Sequence, residues 1–144
     1  MTSTPDPTTG ILDHTFPDAF PVTLAVAYGW SDAYARSILR EYLRFLTLAA
    51  WTPAAPSRDV DLTHALHRSV HPDDWADLER RLPDPRSARW GVNSAELYTA
   101  TLDAYARTFG ERPCRRVWPD RRRRPHRWLL RQLRQFRPAG RSAP

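Results

Sequence analysis

Three imidazoles stand close together at His64, His67 and His71, with the carboxylate of Asp61 three residues before the first. On a helix advancing 100° per residue the three rings fall within about 60° of one another, and Asp61 lies further round. Imidazole nitrogens on one stripe beside a carboxylate are a donor set for Zn, Fe or Ni, and three of them would leave a coordination position open for water or substrate. That chemistry belongs to a hydrolase or another metal-dependent enzyme. The spacing matches no established zinc signature, however, and Pro72 follows His71 directly. The competing reading is a polar helix edge whose histidines bond to neighbouring backbone or carboxylates, with no cofactor.

Other reactive side chains have simpler accounts. Asp73, Asp74, Asp77 and Glu79 are grouped, but acids at the start of a helix answer its dipole without doing chemistry. Cys114 precedes Arg115 and Arg116, which would favour the thiolate if exposed; a partly buried, unreactive thiol is expected. No nucleophile elbow and no Gly-rich phosphate loop is present among five scattered glycines. The balance leans towards a protein that is not an enzyme.

The strongest chemical signal is electrostatic. All 22 basic residues are Arg, and their distribution is uneven. Residues 1–110 hold 10 Arg and 14 Asp or Glu, a net −4; residues 111–144 hold 12 Arg and 2 acids, a net +10. Within this segment Arg121, Arg122, Arg123 and Arg124 are consecutive, and Arg127, Arg131 and Arg134 follow at helical spacing opposite Leu129, Leu130, Leu133 and Phe136. Such a cationic segment attracts polyanions and releases counterions on binding. Trp128 and His126 offer rings for stacking on bases. Nucleic acid is the first partner this suggests. An anionic membrane surface or an acidic protein groove fits the same amphipathic pattern, and so does a helix docked on the chain's own acidic body.

These residues need elements to hold them. A chain of 144 residues with 41% hydrophobic content and 16 aromatic rings reads as one globular domain. A single cysteine excludes an internal disulfide and fits a reducing compartment, so the expected location is cytoplasmic. Residues 1–12 show no periodicity and read as a disordered leader. A short helix follows Pro21 and stops at Gly29. Ser31 caps a longer one in which Ala35, Ile38, Leu39, Tyr42, Leu46 and Ala49 recur on one face. Ser57 caps a helix over 58–71, and Pro72 opens another carrying Trp75, Leu78 and Leu82. Asn93 and Glu96 have capping-box spacing ahead of a helix with Leu97, Thr101, Leu102, Tyr105 and Phe109 inward, ended by Gly110. Val117 and Trp118 then pin an extended stretch to the core. The fold class is all-α: a bundle of about five helices over residues 13–119, followed by an arginine-rich tail, 120–144, with a basic amphipathic helix.

Several of these residues also form an ordered pattern. Trp30-Ser31, Ala35, Glu41-Tyr42, Arg44-Phe45-Leu46, Pro56-Ser57 and Val60-Asp61 are followed by Tyr98 to Thr101, Tyr105, Arg107 to Gly110 and Val117-Trp118-Pro119. Over residues 16–119 this order resembles the glycine-rich domain-containing protein-like family, a helical family of plants and bacteria. That family carries Trp-His-x-His after its Val-Asp, and a later His-His pair. Here the ungapped register sets His64 at the Trp, Ala65 at the first His and His67 at the second, and the later pair has no counterpart before Trp90. The resemblance therefore implies a member reduced in its histidines, and it implies no activity. The resulting expectation is a binding module whose basic tail takes a polyanion; the alternatives are a metal-dependent enzyme at His64, His67 and His71, or a protein-interaction scaffold with a self-docked tail.

Overall fold

The structure, a computed structural model, describes residues 9–120. Among them are six α-helices and no strand: α1 (Thr9–Leu12), α2 (Phe20–Tyr28), α3 (Asp32–Ala49), α4 (Arg58–Val70), α5 (Pro72–Glu79) and α6 (Ala95–Phe109), with a 3-10 turn at Pro85–Ser87. The all-α expectation holds. The basic amphipathic helix expected in the tail lies outside the described residues.

α3 is the axis. Eleven of its 18 residues are buried, and α1, α2, α4 and α6 all pack against it. Its start is set by Ser31, whose hydroxyl accepts from the Tyr34 amide at 3.1 Å, satisfying one of the donors that a first turn leaves unpaired. Ser57 does the same for α4, accepting from the Val60 amide at 3.3 Å. Gly29 and Gly110 close α2 and α6 at φ of 67° and 69°, a left-handed conformation that costs any residue with a Cβ.

Three expectations change. Residues 9–12, expected within a disordered leader, form α1, and Ile11 is fully buried; one buried residue sits below what periodicity detects, and the rest of the expected leader lies outside the described residues. The cap of α6 is Ser94, which accepts from the Leu97 amide at 3.2 Å, and not Asn93. The stretch after Gly110 is a turn, not fully extended: the Cys114 carbonyl accepts from the amides of Val117 at 3.1 Å and Trp118 at 2.7 Å.

The loop between α5 and α6 is tied down as well. The Ala54 amide donates to the Ser87 carbonyl and the Arg89 amide to the Ala54 carbonyl, both at 2.9 Å. This brings Trp90 over α4.

Candidate functional site

The histidines of α4 do not converge. His67 points inward and is fully buried. Its Nε2 lies 2.7 Å from Oδ2 of Asp74 and its Nδ1 3.0 Å from the Tyr42 hydroxyl. A carboxylate only accepts, so Nε2 must donate. Burial is the main influence on the ring and lowers its pKa from 6.5 to about 4, so it is neutral and Nδ1 accepts from Tyr42. That hydroxyl, wholly enclosed, has its own pKa raised well above 10. His14 completes the chain, its Nε2 3.0 Å from the same Oδ2. The Asp74 carboxyl is held below its usual range by these two imidazole partners, which outweigh its partial desolvation.

His64 is occupied differently. Its ring lies flat on Trp90, with centroids 3.7 Å apart and planes 6° from parallel, and meets Trp75 edge-on at 4.6 Å. Burial, with Arg68 and His67 adding to it, lowers its pKa to about 3. His71 ends α4 and begins α5; its Nε2 is buried without a hydrogen-bond partner. Both oxygens of Asp61 accept from the Gly91 amide at 3.2 Å.

The proposed stripe of His64, His67, His71 and Asp61 is thus distributed over four separate environments. Among the described residues no group of three or more His, Cys, Asp or Glu is placed to hold a metal ion. What is brought together instead is His14, Asp74, His67 and Tyr42, drawn from the segment after α1 and from α5, α4 and α3. Sequence reasoning missed His14 and Trp90 because both lie in connections, where no periodicity marks an inward side chain.

The second constellation lies where the described chain ends. Glu41 accepts from the Tyr105 hydroxyl at 2.8 Å and from the Trp118 indole N–H at 2.9 Å. Arg44 donates to the Tyr105 hydroxyl at 2.7 Å and to Glu111. The Tyr98 hydroxyl donates to the Pro119 carbonyl at 2.6 Å. The segment after α6 is therefore anchored to α3 and α6 immediately before the run of arginines. Beside it a cavity of about 310 Å³ is lined by Arg58, Asp59, Arg115, Arg116, Val117 and Pro119. Asp59 is buried and accepts from Arg58 Nε at 2.9 Å and from the Tyr34 hydroxyl. The Arg116 guanidinium sits over the Tyr34 ring, 4.1 Å from its centroid, a cation–π contact. Cys114, expected to be partly buried, is exposed at this turn.

Of the polyanion-binding candidates Arg121, Arg122, Arg123, Arg124, Arg127, Trp128, Arg131 and Arg134, all lie outside the described residues. Among the described residues no helix is long and apolar enough to cross a membrane.

Fold and site together define a small all-α domain with a buried imidazole–carboxylate chain and a cationic C-terminal junction. No family model, curated protein or solved structure matches the chain.

Proposed function

We propose that this protein is a non-enzymatic binding module that engages a polyanion, nucleic acid in the first place, through the basic segment beginning at residue 111 and centred on 121–137. The carrying observation is the charge partition of +10 after residue 110 against −4 before it. The described start of that segment supports the reading. Arg115 and Arg116 are exposed, and among the described residues neither has a carboxylate partner. Asp59, Asp74, Asp77 and Glu111 are engaged by Arg58, His14 with His67, Arg80 and Arg44 respectively. The same reading places the protein in a reducing, cytoplasmic setting where the exposed Cys114 stays a thiol. Kinship of residues 16–119 with the glycine-rich domain-containing protein-like family is part of the proposal, and it carries no activity.

The test uses the full chain and a variant with Arg121, Arg122, Arg123 and Arg124 all changed to Gln. The unaltered protein binds mixed single- and double-stranded oligonucleotides with affinity that falls steeply as salt rises. The variant loses affinity for every sequence alike, and its salt slope on duplex flattens by about 3.6 if all four arginines meet phosphates. Equal binding by both proteins would sink the reading. Preference for anionic vesicles over oligonucleotides would move the partner to a membrane surface.

A further inference from the structure

We infer that the cavity between α4 and the 114–119 turn is a phosphate subsite, which takes one phosphodiester group of the strand engaged by the basic segment. This deepens the polyanion reading and rests on it. Three arginines, Arg58, Arg115 and Arg116, line it together with one carboxylate, Asp59. Arg58 and the Tyr34 hydroxyl already satisfy that carboxylate, so the lining keeps a net charge of +2. The two uncompensated charges are not on a loose strand. Arg115 and Arg116 sit inside the turn closed on the Cys114 carbonyl. The turn itself is fixed by Val117 and Trp118, 3% and 1% exposed, and by the Tyr98 bond to Pro119. Arg116 is further held by the face of Tyr34, and Arg58, half-buried, is oriented by Asp59. The Arg58 and Arg116 guanidinium groups are thus held before binding, and such groups lose less entropy on meeting a phosphate and match its oxygens in pairs; for Arg115 it is the backbone that the turn fixes. A cavity of about 310 Å³ stands at the lower end of the roughly 300–1,000 Å³ of small-ligand sites, with room for a phosphate group, and the charge of its lining is what selects an anion. Pro119, on its wall, is two residues before Arg121.

The full-length protein is titrated with inorganic phosphate at constant ionic strength while the backbone amides are followed by NMR, with chloride as the control. Phosphate produces saturable shifts at residues 115–119 that chloride does not. The Arg115→Gln/Arg116→Gln variant loses those shifts and binds a single-stranded oligonucleotide about five- to tenfold more weakly, with a salt slope lower by about 1. Because Arg116 also packs on Tyr34, Arg115→Gln alone serves as the second variant; Arg115 has no ion pair among the described residues. It reduces both readouts with an unchanged far-UV spectrum. Shifts that never saturate, or that chloride reproduces, overturn the subsite. So do saturable phosphate shifts with unchanged oligonucleotide affinity in both variants. The Arg121–Arg124 variant separates the two proposals. It keeps the phosphate shifts at 115–119 while its oligonucleotide binding falls; undiminished oligonucleotide binding in that variant defeats the reading of the tail and leaves the phosphate shifts to decide the cavity.

Discussion

His67 and His71 are four residues apart, and the same substitution should have opposite effects on them. His67 joins Tyr42 to Asp74. Its replacement by Leu leaves the enclosed Tyr42 hydroxyl with no acceptor and removes one of the two imidazole donors from Asp74. A stranded buried group costs about 1–3 kcal/mol, so His67→Leu should lower stability by about 1–3 kcal/mol, seen as a fall in the urea midpoint. His71 holds a buried Nε2 with no partner, packed edge-on to Phe20 at 5.4 Å. Removing an unsatisfied polar atom is neutral or favourable, and His71→Leu should leave the midpoint unchanged or raise it by up to about 1 kcal/mol in stability. A loss above 1 kcal/mol at His71, or none at His67, would contradict these packing assignments.

Between elements, the junction of α3, α6 and the 111–119 segment turns on Glu41. One carboxylate accepts from Tyr105 and Trp118, so Glu41→Ala should cost about 2–3 kcal/mol. Amide exchange should accelerate first at Val117 and Trp118, whereas Glu41→Gln, which keeps an acceptor, should retain most of the protection. Uniform acceleration across α3 would mean that Glu41 does not act on this segment. The helices themselves were legible: Ser31, Ser57, Pro72, Gly29 and Gly110 mark boundaries through local bonds and dihedral angles, which a sequence carries directly. Glu41, Tyr98, Thr101, Tyr105 and Trp118 prove to be contacts that tie α3, α6 and the segments beside them together. Thr101 belongs there because its hydroxyl accepts from the Ala55 amide at 2.9 Å. The site was less legible. Helical periodicity groups His64, His67 and His71 on one stripe, but His71 leaves the helix at φ −127°, and periodicity carries no information on what faces each ring. Trp90 and His14 arrive from connections 26 and 50 residues away in sequence from His64, and their contacts depend on how those loops are tied.

For the molecule as a whole, the two buried rings should set the response to acid. The pKa values of His64 and His67 fall from 6.5 to about 3 and about 4 in the fold. The unfolded chain therefore takes up both protons near pH 6.5, while the native state refuses them until well below pH 5. Stability is fully present above pH 6.5 and declines as pH falls, by about 1.4 kcal/mol per unit for each ring and about 3 for the pair. Asp74 does not offset this, because its pKa is depressed below 3.8 and its contribution is lost only in stronger acid. Against a total of roughly 5–15 kcal/mol for a domain, two pH units remove much of the margin. The urea midpoint measured from pH 7.5 to 4.5 should drop with the slope of about two protons, and His64→Phe, which keeps a ring against Trp90, should reduce that to about one. A flat profile would mean that neither ring is buried in solution. The same titration bears on binding, since arginines stay charged throughout this range. If the tail alone held the polyanion, affinity would survive unfolding of the body. The cavity at Arg58, Arg115 and Arg116 exists only in the folded domain, so the five- to tenfold that it adds to oligonucleotide affinity at fixed salt should be lost as the unfolded fraction rises.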